Sequence, residues 1–350
     1  MTDIPREQIN AFDAAVSRAS KIVIVSHVHP DGDALGSVTS MQSFLREARG
    51  KESLVILPGP VPPNLSFITE GVDIMAGLTP LTERAIAEAD LVIALDLNSL
   101  HRTDVLESPL RASGARKILI DHHPCPENSE FDLIFSRTDV SSACEHIYQV
   151  LMSLPDIGSD AGRLPSRCAR SLMTGMTTDT NNFANSVFPS TLRMASSLLE
   201  AGVDRDSIIQ SIYNSSREAK VRLWAHMLDR KLVIMDCGAA YMVLDRQERD
   251  GFGVLEGETD GLVNIPLQIR DVRLSALLTE EDGCFRVSLR SKKGVDVSRL
   301  SSAHFHGGGH VLASGGKIFF PGDISSPEEA GPYFEDITAR FMREDAAAQS

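Results

Sequence analysis

Early in the chain, four short apolar runs stand out at 22–25, 53–57, 91–95 and 117–120. Each is rich in Val, Ile and Leu and shows no polar alternation. This predicts strands buried on both faces, as in a parallel sheet covered by helices. Apolar residues recur at helical spacing over 35–47, 142–153, 166–178 and 190–201, the last closed by Gly202. Alternation of strand and helix predicts an α/β fold with a parallel sheet. "LPGPVPPN" at 57–64 reads as a proline-rich loop. Beyond residue 203 the texture changes. Residues 216–232 have helical spacing with charged flanks, and short strands follow at 232–235, 240–244, 272–278 and 285–289. The expected organisation is a parallel-sheet domain over 1–212, a connecting helix over 213–232, and a smaller α+β domain over 233–341.

The apolar runs end in polar chemistry. The first passes through "SHVHPDGDALGS" into His27, Asp31 and Asp33, in a loop punctuated by Pro30 and Gly32. "LVIALDLN" ends in Asp96, and "KILIDHH" in Asp121, His122 and His123; the buried helix "LMTGMTTD" ends at Asp179. Loops at the carboxyl ends of parallel strands are where open α/β sheets place ligands. A single Asp there reads as a helix cap. Several carboxylates converging from separate elements repel one another unless a cation holds them. The set is His27, Asp31, Asp33, Asp96, His122 and Asp179: four carboxylates, two imidazoles and no thiolate. It suits Mn²⁺, with Mg²⁺ or Co²⁺ as substitutes. These are many ligands for one ion and a comfortable number for two ions sharing a bridging carboxylate. A metal pair activates a water and stabilises both oxygens of an in-line displacement at phosphorus.

A second dense signal is "HFHGGGHVLASGG". Gly307, Gly308 and Gly309 allow close backbone approach and positive φ, so their N–H groups are expected to point into one anion. His310 follows at once. Arg290 supplies a planar fork and Ser291 a hydroxyl, both within the basic stretch 285–299, which carries five positive charges. His304 and His306 read as packing or surface residues; Arg102 follows Asp96 closely enough to reach the site, but a surface salt bridge is its expected role.

The net charge of −14 argues against gripping long nucleic acid. With 5% aromatics and one Trp, no extended platform for stacking bases is expected. One basic stretch on an acidic protein suits a small anionic substrate. Five widely spaced cysteines without a C-x-x-C pair read as reduced thiols in a cytoplasmic protein. No apolar run approaches the length of a membrane span, and the polar start "MTDIPREQINAF" is unlike a signal peptide.

"HVHPDGDALGS", "LDLN", "DHH" and "GMTTDT" resemble, in order, the four motifs of the DHH phosphoesterases. "LRS" and "HGGGHVLASGG" resemble the substrate-binding motifs of the DHH-associated C-terminal domain. Size and arrangement are similar to the bacterial stand-alone members, the nano-RNase/pAp phosphatases and their relatives that cleave cyclic dinucleotides. The resemblance implies that His27 and Asp31 bind one Mn²⁺, that Asp33, His122 and Asp179 bind a second, and that Asp96 bridges them. It implies that His123 faces the substrate phosphate and that Asp121 orients a histidine. Arg290, Ser291, Gly307, Gly308, Gly309 and His310 would hold a further phosphate or the nucleotide body. The expected activity is Mn²⁺-dependent hydrolysis of short RNA and of 3′-phosphoadenosine 5′-phosphate (pAp) to nucleoside 5′-monophosphates. A rival within the family is cleavage of cyclic di-AMP or of linear dinucleotides such as pApA and pGpG. From another class, a non-catalytic nucleotide sensor would not need the complete ligand set. Expected partners are short RNA and small nucleotides, with no long nucleic acid and no membrane. A homodimer is compatible with the chain.

Overall fold

In the computed structural model, which describes residues 4–255 and 257–349 and side chains to 345, the four early apolar runs lie in one parallel sheet. Its strands are β1 (Ile22–Val25), β2 (Ser53–Leu57), β3 (Ile74–Ala76), β4 (Leu91–Leu95), β5 (Arg116–Asp121) and β6 (Leu133–Ser136). Their order is β3-β2-β1-β4-β5-β6, every neighbour parallel. The central strands are apolar on both faces because both are covered. Ile22, Ile24, Ile93 and Ile118 share a core with helices Arg6–Arg18, Gly32–Ser43, Ala143–Met152 and Ser166–Asp179. Val23, Val25, Val92 and Leu119 face the opposite way, toward Ile86 and Leu110 of helices Pro80–Glu88 and Glu107–Ala112.

Strand order reverses at the centre. From β1 the chain builds outward to β2 and β3; from β4 it builds the other way to β5 and β6. In such sheets a crevice opens beyond the carboxyl ends of the two strands at the reversal. His27 follows β1 and Asp96 follows β4, so the topology delivers both to that crevice.

Two glycines set how closely the flanking helices cross there. A Cβ on Gly36 would lie 2.7 Å from the Ser171 carbonyl oxygen and 3.0 Å from the Gly175 Cα. A Cβ on Gly175 would lie 2.3 Å from Cys144 Sγ and 3.0 Å from Asp33 Oδ1. Helices Gly32–Ser43 and Ser166–Asp179 therefore meet backbone to backbone, which holds Asp33 at the start of one beside the other.

The chain divides into two compact units, Met1–Ser215 and Ser216–Ser350. The second unit carries a mixed sheet of β7 (Val233–Ile234), β8 (Ala239–Leu244), β9 (Leu274–Glu281), β10 (Cys284–Ser291), β11 (Gly308–His310) and β12 (Ala313–Phe319). Its order is β11-β12-β10-β9-β8-β7, parallel only between β8 and β9. Helix Glu218–His226, within the stretch expected to connect the domains, buries Leu223 against Met242, Leu244 and Leu277 of the second unit. All five cysteines are free thiols, and among the described residues no helix is long and apolar enough to cross a membrane.

The glycine crossing predicts a specific cost. Gly175→Ala should destabilise the protein by about 1–3 kcal/mol, the usual range for overpacking a tight core. Cys144→Ala in the same chain should recover part of that loss, because the sulfur is the nearest obstacle. Denaturant unfolding of the two single variants and the double variant measures the coupling. An unchanged midpoint for Gly175→Ala would show that the crossing tolerates a side chain.

Candidate metal centre

Each candidate ligand is held by its own local device. Asp31 caps helix Gly32–Ser43, its Oδ1 accepting the backbone N–H groups of Asp33 and Ala34 at 3.0 Å each. The same oxygen stands 4.0 Å from His27 Nε2, and the other is not used by the cap. Asp33 is buried. Its Oδ2 accepts from Ala143 N at 2.6 Å and its Oδ1 from Cys144 N at 3.0 Å, so the start of helix Ala143–Met152 fixes both oxygens. Asp96 leaves β4 with φ +57°, a left-handed turn that Asp tolerates, and its N–H is tied to the Ile120 carbonyl. Asp179 is the last residue of its helix.

These devices converge on two triads with a shared neighbour, and Asp96, His122 and His123 form a third group of the same spacing. His27, Asp31 and Asp96 bring ligand atoms within 4.8 Å of one another, as do Asp33, His122 and Asp179. Asp96 directs Oδ2 to His27 Nε2 at 3.4 Å and Oδ1 to His122 Nε2 at 3.5 Å. One carboxylate thus addresses both triads with different oxygens. His122 Nε2 also stands 3.8 Å from Asp179 and 3.9 Å from Asp33. His27 donates Nδ1–H to the Val28 carbonyl at 2.8 Å, which turns Nε2 toward the carboxylates.

The residues fit a pair of cations. Asp96 Oδ1 is buried and lacks a geometrically sound hydrogen bond, a costly state for a carboxylate oxygen unless something positive meets it. The electrostatics agree. Burial alone would lower the pKa of His27, but hydrogen-bonded Asp96 overrides it and pushes the imidazole up to about 9. The same balance pushes His122 up to about 10. Burial raises Asp179 to about 7, and burial with the charge of Asp96 holds Asp33 well above the usual carboxylate range. Asp96 itself is opposed by burial but held far below that range by the two imidazoles. Protons occupy the cluster wherever cations do not.

Beside the triads lies a fixed row. Asp121 is buried; its Oδ1 accepts His123 Nδ1–H at 2.8 Å and its Oδ2 the His123 backbone N–H at 3.0 Å. The Asp121 carbonyl accepts from His146 Nδ1, a buried imidazole whose pKa burial pulls down to about 4. Arg102, expected in a surface salt bridge, instead places Nη1 3.3 Å from His123 Nε2. His146 does not stand out in the sequence. The only signal for Arg102 is its position soon after Asp96.

In the second unit the glycine motif departs from the expected anion nest. Gly308–His310 is an edge strand paired with β12, and only Gly309 of its three glycines has positive φ, at +140°. Gly307 is needed for space, since a Cβ there would lie 1.9 Å from the Gly315 carbonyl oxygen, whereas Gly308 has open surroundings. Ser291 is buried and donates its hydroxyl to the Val295 carbonyl at 2.7 Å, so that hydrogen is committed inside the fold. Arg290 and His310 both pair with Ala313, from β10 and β11 on either side of β12. Directly opposed residues share a sheet face, so the guanidinium and imidazole side chains flank a methyl group. Their backbones are about two strand spacings, roughly 10 Å, apart. Arg290 is half-buried, and burial pulls its pKa down against the nearby Asp260. His306 pairs with Asp323, and His304 is exposed at a helix end.

Residues 21–176 match the family model for the DHH family, N-terminal domain, and residues 237–324 match the DHHA1 domain. The first match contains every candidate ligand except Asp179, which lies just beyond it. The bifunctional oligoribonuclease and PAP phosphatase NrnA of Bacillus subtilis (strain 168) is 29% identical over 309 residues, 87% of this chain and 91% of its own length. The probable bifunctional oligoribonuclease and PAP phosphatase NrnA of Streptococcus mutans is 30% identical over 311 residues, 87% and 92% of the two chains. The crystal structure of an exopolyphosphatase-related protein from Bacteroides fragilis aligns with TM-score 0.90 at 34% identity, covering 99% of this chain and 100% of that one.

The proton-filled cluster predicts a pH signature. His27 and His122 have raised pKa values, so their contribution to stability is complete below about 6.5 and is lost as pH climbs through 9 to 10. Asp33 and Asp179, also raised, favour the folded state in acid and lose that advantage as pH rises, Asp179 through about 7. Asp96, lowered, contributes above 3.8 and loses its contribution only in strong acid. Chelator-treated protein should therefore melt highest in mild acid and progressively lower from pH 7 to 10. The gain in melting temperature from added Mn²⁺ should widen over that range, because metal displaces protons. A gain that shrinks with pH would contradict the assignment.

Proposed function

The chain belongs to the DHH family of phosphoesterases, and from that membership we propose that it is a Mn²⁺-dependent hydrolase of short RNA and of pAp, releasing nucleoside 5′-monophosphates. The observation that carries the reading is Asp96, with one oxygen turned to His27 and the other to His122. His27 and Asp31 would hold one ion, Asp33, His122 and Asp179 the other, and Asp96 both. When bound, such a pair supplies an activated water and neutralises charge on the phosphoryl oxygens. Asp121 locks His123 in one orientation beside them. In the second unit, Arg290 and His310 would grip a further phosphate or the nucleotide body; Gly308 and Gly309 line the same strand, Gly307 lets it lie close, and Ser291 supports it from within.

Substrate choice rests on the NrnA relatives and on charge. The −14 net charge and single Trp offer a long strand little attraction beyond the site. The full double ligand set supports turnover over sensing. Free thiols are consistent with a reducing, cytoplasmic setting.

Two measurements test this. Mn²⁺-loaded protein offered pAp, a dinucleotide, longer RNA and cyclic di-AMP side by side should favour pAp and the dinucleotide. Its kcat/KM should fall as RNA lengthens, with a penalty that shrinks as salt screens exposed charge beyond about 8 Å. Equal or rising efficiency with length would refute the short-substrate reading, and preference for cyclic di-AMP would move the assignment to the cyclic-dinucleotide branch. Separately, Arg290→Ala should raise KM by about one to two decades, the loss of a charged hydrogen bond, with kcat changed less. An unchanged KM would confine Arg290 to a structural role.

A further inference from the structure

From the row Asp121–His123–Arg102 we infer that Arg102 is the cation that binds the reacting phosphate, and that His123 acts on it as a positioning residue. The inference rests on the two-cation reading of the adjoining site. It differs from the role that family resemblance gives His123, which is direct contact with the phosphate.

The hydrogen-bond chemistry leaves one arrangement. A guanidinium only donates, so at 3.3 Å from Arg102 Nη1 the His123 Nε2 must accept. The hydrogen of the ring is then on Nδ1, where Asp121 Oδ1 takes it at 2.8 Å. Asp121 Oδ2 takes the backbone N–H of the same residue, so the carboxylate fixes both ring and main chain. With Nε2 engaged as an acceptor, His123 has no hydrogen there to offer a phosphoryl oxygen. Arg102 has the remaining hydrogens of its fork.

Arg102 is also tied to the metal-side loop. Its carbonyl accepts the Val28 N–H at 2.8 Å, one residue beyond His27, and its charge acts on His27. Two other arginines near this end of the sheet, by contrast, are spent on carboxylates: Arg111 on Glu107, Glu127 and Glu130, and Arg137 on Asp139. Among the described residues, no carboxylate lies within ion-pair distance of the half-buried Arg102 guanidinium. A planar fork without a carboxylate, beside a centre built for phosphoryl chemistry, fits two oxygens of one phosphate.

Inorganic phosphate is the probe, titrated calorimetrically into Mn²⁺-loaded protein. Arg102→Ala should weaken phosphate binding about ten- to a hundredfold and lower kcat/KM at least as far, while Mn²⁺ stoichiometry stays unchanged. Guanidinium ion added to Arg102→Ala should restore part of the turnover, and Arg102→Lys should fall between the two. His123→Ala should reproduce most of the loss, and the double variant should be no worse than the poorer single one. Wild-type phosphate affinity in Arg102→Ala, or fully additive effects, would overturn the inference. ¹⁵N NMR of chelator-treated protein reads the row without metal or turnover. The His123 hydrogen should be on Nδ1, and the Nε2 resonance should move in Arg102→Ala; hydrogen on Nε2 would refute the arrangement. Wild-type protein that takes up no Mn²⁺ yet shows the Nδ1 hydrogen and the Arg102-dependent shift would overturn the cation reading alone.

Discussion

Like charge confined in a buried crevice is the constraint from which the rest follows. Asp31, Asp33, Asp96 and Asp179 converge where three of the four are largely shielded from water, and Asp96 sits between two imidazoles at 3.4 and 3.5 Å. Left to relax, such carboxylates would turn away from one another. Here each is restrained by backbone: a cap at Asp31, two helix N–H groups at Asp33, a left-handed bend at Asp96, a helix end at Asp179. The restraint is local, but its cost is offset by the large apolar core on both faces of the sheet. Repulsion built into the scaffold becomes affinity when divalent charge arrives.

Position then comes from topology. The reversal of strand order between β1 and β4 opens the crevice, and the glycine crossing lets helix Ser166–Asp179 approach closely enough for Asp179 to reach the triad of Asp33 and His122. A conventional side chain at Gly175 would strike Cys144 and Asp33, that is, the very residues that hold one side of the site.

This explains which features were legible in the sequence. The central strands could be read because strands covered on both faces are continuously apolar, and the candidate ligands because most of them follow those strands and Asp179 ends a buried helix. β3 and β6 escaped notice as short edge strands, and helix Arg6–Arg18 because only Ile9, Phe12, Ala15 and Val16 among its mostly polar residues are buried. Arg102, His146 and the N–H groups of Ala143 and Cys144 act through contacts between distant segments, which local pattern does not encode. The backbone form of the glycine motif was not legible for a different reason. Glycine runs serve both conformation and close packing, and the sequence cannot apportion Gly309 to the first and Gly307 to the second. Ser291 likewise has a hydroxyl whose partner, Val295, is settled by the turn after β10.

Charge accounting links the centre to its substrate. On the proposed two-cation reading, four carboxylates and two divalent ions would sum to zero, since the imidazoles must be neutral to ligate. A neutral metal cluster by itself gives an anionic phosphate no net long-range attraction. Asp121 and Arg102 also cancel, but an imidazole separates them, with the carboxylate buried and the guanidinium at the outer end. The row is therefore a fixed dipole whose positive end is the accessible one. On the proposed reading it supplies the directional attraction that the cluster lacks, at one phosphate. Further phosphates would meet a protein of net charge −14. On that reading a preference for very short substrates would need no steric stop, because a longer strand adds phosphates to a protein that is net acidic.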